Sequence, residues 1–411
     1  MLSSTTRSNR RAIVASMASL IGSVFVASTL WAVQAPGAPY AQVAEVSAEF
    51  DAAANASRTL IEAFMEDRGV PGLAVAVAVE GEVVWSEGFG YANVEHRIPV
   101  TTLTKFRSGS TAKPIAGAAL ARLYEQGRFE LDVPIQTYVP SFPEKEYVIT
   151  PRQLAGHQAG MRSYRPNSDE FFNIKRYTDL VDALEMFEDD PLMSEPGTEY
   201  SYSTFGTNLL GAAIQGAAGE PFLTVLQQLV LDPLKMASTV GDHSDSIISY
   251  RTSYYERSNN VRDRVIGGLR MTRRASATSD DEDGPGVLMN TPFSDNSNKW
   301  PGGGLLTTPI DLARFGSAHL KPGDLRSETL ELLFTAQRTR SGEVTPYGMN
   351  WFIDTDPEGR SVVHHAGESV GGASFVLLYP GEGVVVALQC NLTRANYDDL
   401  HFRIGDLFIE R

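Results

Sequence analysis

Cysteine is nearly absent: the 411 residues contain one, Cys390. A lone cysteine closes no intramolecular disulfide and builds no thiolate cage for zinc or iron–sulfur. It ends the apolar run at 384–390 and reads as an inert core thiol. Positive charge is also scarce. Lysine and arginine total 35 against 50 acids, a formal charge of −15. The first 44 residues hold three arginines and no acid, so the rest carries 32 basic against 50 acidic residues, or −18. Such a body repels phosphate backbones, which excludes nucleic acid as the expected partner. Neither His-x-His-x-Asp nor His-Glu-x-x-His occurs. The adjacent His364 and His365 lie on a strand and face opposite sides, so they share no metal. No metal and no other cofactor is therefore expected. With 42 % hydrophobic and 21 % charged residues, bulk disorder is excluded as well.

The N-terminus has the pattern of an export signal. Arg7, Arg10 and Arg11 precede an uncharged stretch at 12–33, long for a signal and just long enough to span a bilayer. Residues 1–42 are expected to be a signal peptide or membrane anchor, with a possible tether through 12–33. The body, 43–411, would then be exported and face the periplasm or the outside.

Periodicity predicts a helix over 45–69, a strand over 72–79, a turn at Glu80-Gly81 and a returning strand. Helical segments follow at 111–126, 151–156, 178–188, 206–218 and 221–230, with Gly127 closing the first. Residues 250–285, rich in arginine and then in acids, read as a solvated mobile insert. Strands return at 361–365, 374–379 and 384–389, and a last helix at 396–409. The expected fold is α+β. An antiparallel sheet pairs the N-terminal hairpin with the C-terminal strands, terminal helices flank it, and a mostly helical subdomain is inserted at about 106–240.

Three segments can carry chemistry. Ser110-Thr-Ala-Lys113 opens a helix in which Pro114 suits the first turn. Positions i and i+3 share a face, so Ser110 and Lys113 point the same way. A serine hydroxyl is a weak nucleophile until a neighbour takes its proton, and a desolvated lysine can take it. The helix N-terminus also favours negative charge at Ser110. Tyr202, just ahead of a helix, can act as acid or base if a cation is near, though read alone it is first a packing residue. The third segment is His364-His365-Ala366-Gly367 on a strand. Gly367-Glu368-Ser369-Val370-Gly371 matches the nucleophile elbow of α/β-hydrolases, but a strand follows where that elbow needs a helix. Ser369 is therefore not expected to be a nucleophile. His157 reads as a structural residue of a helix end.

Taken together, these residues resemble the serine β-lactamase and penicillin-binding-protein superfamily in its class C-like branch, over about 50–410. Ser-x-x-Lys, a tyrosine motif and a basic residue–x–Gly strand motif come in the matching order. Segments 106–113, 131–134, 149–154, 156–160 and 302–315 are similar too. Segments 200–206 and 290–300 are similar to the mitochondrial branch of serine β-lactamase-like proteins.

The resemblance implies a β-lactamase/transpeptidase-like fold and a serine hydrolase that forms an acyl-enzyme on amide or ester bonds. The type implied is peptidase, D,D-carboxypeptidase or esterase, its partner a small-molecule or peptide substrate. Ser110 would be the nucleophile, and Lys113 and Tyr202 would share the base and acid work. His365, Gly367 and Glu368 would line the substrate, with the Ser110 and Glu368 amides as oxyanion hole. There are departures. The usual Tyr-x-Asn reads Tyr202-Ser203-Thr204, without the side-chain amide. His365 stands where many relatives have lysine and carries less charge at neutral pH. Both argue against efficient β-lactam hydrolysis. Glu368 would disfavour carboxylate-bearing substrates if it points into the pocket. The alternative is a catalytically idle binding or assembly protein, which would have no need of the Ser110, Lys113 and Tyr202 trio.

Overall fold

The computed structural model describes residues 46, 48–165, 168–258 and 286–410. The export or anchor segment at 1–42 and most of the 250–285 insert lie outside these residues. Among the described residues, no single helix is long and apolar enough to cross a membrane.

Strand β1 (Gly72–Val79) alternates Leu or Val with Ala, and all its residues are buried. A strand of that kind needs cover on both faces. Glu80 and Gly81, at φ 51° and 96°, turn it into β2 (Glu82–Asn93), whose end pairs with β3 (Ile98–Pro99). Short pieces follow: β4 (Phe106–Arg107), β5 (Val240–Gly241), β6 (Tyr255–Ser258), β7 (Val287–Asn290) and β8 (Leu305–Thr307). β8 pairs with β4 and β5, and β6 pairs with β7. Then come β9 (Phe352–Thr355), β10 (Ser361–Ser369), β11 (Gly372–Tyr379) and β12 (Val384–Cys390). The main sheet has the order β3-β2-β1-β12-β11-β10-β9. Its N- and C-terminal halves join antiparallel from Leu73↔Cys390 to Val79↔Val384, as the sequence predicts.

The helices are α1 (Asp51–Arg68), α2 (Ala112–Glu125), α3 (Pro151–Ala155), α4 (Thr204–Ala218), α5 (Phe222–Leu226), α6 (Pro309–Ala318), α7 (Ser327–Phe334) and α8 (Leu400–Ile409). The large side chains of β1 (Leu73, Val75, Val77 and Val79) share a core with Ile61 of α1 and with Ile404 and Phe408 of α8. The terminal helices thus cover one face, as expected. On the opposite face Ala76 and Ala78 lie in the core of α6, with Leu312, Phe315 and Val385. Small residues let that helix lie close. At Gly316 a Cβ would come within 2.7 Å of Val385. Each fully buried Leu or Val contributes about 2 kcal/mol, so two-sided burial of this sheet holds the fold together.

The helical core draws on α2, α4 and α5 and also on Leu330, Leu333, Met349 and Trp351, well beyond residue 240. Neither α6 nor α7 is among the predicted elements. The predicted helix at 178–188 is only a 3₁₀ turn at Asp182–Met186. The Asp179 carboxylate accepts the Val181 N–H (2.7 Å) and a Gln215 amide (2.9 Å), and such side-chain bonds compete with a helical turn. The last helix starts at Leu400 rather than 396.

Candidate active site

Ser110 lies in a 3₁₀ turn, Gly109–Thr111, that runs directly into α2. α2 is alanine-rich and buried on almost every side, and its one early charge, Lys113, has no exposed surface. Lys113 Nζ lies 2.9 Å from Ser110 Oγ, 2.8 Å from the Gly302 carbonyl oxygen and 3.3 Å from Thr204 Oγ1. Burial, aided by the charge of Lys299, pushes its pKa well below the usual lysine range. A neutral amine has two N–H groups and one lone pair. The Gly302 carbonyl only accepts, so it takes one N–H. Thr204 Oγ1 takes the other, and the lone pair is left for the Ser110 hydroxyl proton. That is the geometry of a general base.

Tyr202 sits just before α4. Ser203 caps that helix: its Oγ accepts the Gly206 N–H (2.9 Å) and donates to the Arg162 carbonyl (2.6 Å). The fixed cap places Tyr202 in the site, with Lys113 Nζ 4.9 Å from its ring centroid. Burial raises the Tyr202 pKa, with Ser110 opposing and Tyr200 adding to it. At neutral pH the phenol therefore keeps its proton. The sequence leaves acid and base work shared between Lys113 and Tyr202. The environment divides it: Lys113 can take a proton and Tyr202 can give one.

His157 holds Tyr202 from behind. It has φ 54° at the end of α3, its carbonyl accepts the Ser201 N–H (2.8 Å), and its ring centroid is 4.3 Å from that of Tyr202. The helix-end reading is correct, and the residue also carries the tyrosine. Lys299 is a second buried lysine, its pKa lowered by burial to about 7. Its carbonyl accepts the N–H groups of Gly302, Gly303 and Gly304 at 2.8–3.0 Å, which shapes the turn that offers the Gly302 carbonyl to Lys113.

β10 closes the site. Gly109 has φ 49°, and a Cβ there would lie 2.6 Å from the Glu368 amide nitrogen. A Cβ on Gly367 would lie 3.0 Å from the Ser110 amide nitrogen and against the Ser108 carbonyl. The two glycines bring the Ser110 and Glu368 amides close. The Glu368 side chain is exposed and pairs with Arg394 at 3.4 Å, so its charge is partnered. His365, placed along the substrate by the resemblance, is 1 % exposed. Its Nδ1 donates to the Ala366 carbonyl (2.6 Å), and its Nε2 accepts from the Tyr347 hydroxyl (2.9 Å). It is a neutral ring, held far below the ordinary histidine pKa chiefly by burial. Its neighbour His364 faces the other way, stacked between Phe352 and Phe375.

Ser369 is buried and followed by the Gly371 turn and β11, not by a helix. Cys390 is a buried free thiol with a raised pKa. Thr204, Gly302, Lys299 and Tyr347 carry geometry that the motifs did not reveal. For Thr204 the signal was present, as the last position of Tyr202-Ser203-Thr204.

An antiparallel sheet with helices on both faces, and a Ser-x-x-Lys helix reaching its β10 edge, defines the β-lactamase and penicillin-binding-protein class. The chain belongs to the Beta-lactamase family, whose profile matches residues 58–406. It is 27 % identical to the mitochondrial serine beta-lactamase-like protein LACTB of Mus musculus, over 90 % of this chain and 83 % of that protein. The fold is similar to the octameric penicillin-binding protein homologue of Pyrococcus abyssi, with a TM-score of 0.68 and 22 % identity over 87 % of this chain and 78 % of that one. It is also similar to the D-amino acid amidase of Ochrobactrum anthropi SV3, solved with L-phenylalanine amide. There the TM-score is 0.70 at 20 % identity, over 87 % of this chain and 99 % of that one. The family is one of serine hydrolases.

Proposed function

We propose that the protein hydrolyses amide or ester bonds through an acyl-enzyme on Ser110. The observation that carries this reading is Lys113, a fully buried amine 2.9 Å from Ser110 Oγ and held from its other sides by the Gly302 carbonyl and Thr204 Oγ1. Ser110 Oγ attacks the substrate carbonyl carbon while its proton passes to Lys113. The resulting oxyanion accepts from the Ser110 and Glu368 amides, each such donor typically contributing about 10²–10³ in rate. Tyr202 gives a proton to the departing amine or alcohol. Water then attacks the acyl carbonyl as its proton passes to the Tyr202 phenolate, and Ser110 leaves with the proton held on Lys113, which restores all three groups. No step calls on a cofactor.

The substrate class follows from the departures. Without a Tyr-x-Asn amide and with a neutral His365, peptides and small esters are favoured over β-lactams. The fold-level likeness to an amidase supports the same order. The arginine-led apolar stretch at 12–33 supports work outside the cytoplasm. The test is hydrolysis of p-nitrophenyl acetate by the full chain. Turnover that Ser110→Ala removes is expected. Turnover unchanged in Ser110→Ala would overturn the reading, and folded protein without turnover would favour the idle binding alternative.

A further inference from the structure

Resting on Ser110 as the nucleophile, we propose that the Tyr347–His365 pair makes the site select acyl compounds that carry no free carboxylate beside the scissile bond. β9 pairs with β10 only from Ser361 to His364, so beyond that point this edge of β10 is left to the Ser110 turn and to a bound substrate. A substrate with its carbonyl at the Ser110 and Glu368 amides lays one arm along residues 365–367. A carboxylate on that arm needs a cation or a free N–H.

His365 offers neither. Its Nδ1–H is given to the Ala366 carbonyl, and its Nε2 is occupied by the Tyr347 hydroxyl. Protonating Nε2 would leave two hydrogens facing each other, or force the fully buried Tyr347 hydroxyl to turn its proton to no partner. The ring is also walled by Phe352, at 5.2 Å between centroids, and by Tyr202 at 6.2 Å. The other charges tied to the site are committed. Lys113 is fixed by Gly302 and Thr204, Lys299 Nζ is buried against the Phe171 carbonyl and ring, and Arg394 is paired with Glu368. Among these described residues a substrate carboxylate finds no cation inside the site, and the exposed Arg394 at its rim is already shared with Glu368.

The test uses the full chain and two thioesters of hippuric acid. One has mercaptoacetate as the leaving thiol and the other mercaptoacetamide, and each rate is divided by that compound's rate of hydroxide hydrolysis, which removes their different leaving-group strengths. Thiol release gives kcat/KM for each. The carboxamide thioester is expected to be favoured at least about tenfold, the usual scale for a polar group left unpaired in a site. His365→Lys should narrow or reverse that preference. The wild-type comparison stands by itself if this variant does not fold. Equal rates or a preference for the carboxylate would overturn the proposal. So would a carboxamide thioester left intact by protein that hydrolyses p-nitrophenyl acetate through Ser110. If p-nitrophenyl acetate turnover does not depend on Ser110, the underlying reading fails first and takes the proposal with it.

Discussion

Lys113 Nζ and the Gly302 carbonyl oxygen lie 2.8 Å apart, and this contact sets the direction of proton movement at Ser110. The carbonyl fixes one N–H of the amine. Thr204 fixes the second. Once the amine is neutral, what remains toward Ser110 Oγ, 2.9 Å away, is the lone pair. The same arrangement is costly for the fold, because a lysine with no exposed surface sits in an apolar helix.

Lys113→Met should therefore move activity and stability in opposite directions. Removing the base should slow fluorophosphonate labelling of Ser110 by about 10³-fold or more. Replacing a buried amine by an apolar side chain of similar length should raise the melting temperature. Labelling kinetics and thermal denaturation on one preparation check both. A variant both slow and less stable would show that the amine supports the core.

The pH profile follows from the two shifts. Lys113 works as the free amine, so kcat/KM should rise as pH increases through its lowered pKa, far below an ordinary lysine. Tyr202 works as the phenol, and its pKa is raised, so the alkaline fall should lie above the ordinary tyrosine range. Lys299→Met removes a like charge near Lys113, so the Lys113 pKa should rise and the acid limb should shift to higher pH. An unmoved acid limb would separate Lys299 from the base.

Thr204→Val keeps the shape but removes the hydroxyl that receives the second Lys113 N–H. The amine can then rotate its lone pair away from Ser110. A loss of about tenfold in labelling rate is expected, the scale of one hydrogen bond to the base. An unchanged rate would mean that Gly302 alone orients the amine.

The main sheet was legible because its strands alternate and because Glu80-Gly81 announces the hairpin. The nucleophile pair was legible because i and i+3 are local. The rest of the site is tertiary. Thr204 and Gly302 reach Lys113 across 91 and 189 residues, and no periodicity in the sequence encodes such a contact. Tyr347 meets His365 only because β9 folds back onto β10. α6 is a different case. Thr308 caps it, accepting the Asp311 N–H, and Pro309 stands in its first turn, so its start signal is present in the sequence. At 178–188 helical spacing gave way to the Asp179 side chain.

Arg107 ties the nucleophile turn to the rest of the molecule. It is buried, donates to Asp242 (2.8 Å), to Ser294 Oγ (3.0 Å) and to the Val370 carbonyl (2.7 Å), and stacks 3.8 Å over the Tyr254 ring. Arg107→Met would leave Asp242 without its closest cation. A loss of about 3–5 kcal/mol is expected in urea unfolding, the usual cost of breaking a buried pair from one side. A change below 1 kcal/mol would mean that Arg251, which approaches Asp242 at 3.5 Å, takes over the charge.

The most direct test of the account is to label the full chain with a fluorophosphonate and map the adduct by peptide mass spectrometry. The account predicts one adduct, on Ser110, that forms far more slowly in Lys113→Met and at an unchanged rate in Ser369→Ala. An adduct on Ser369, or none on Ser110 in protein shown to be folded, would contradict it.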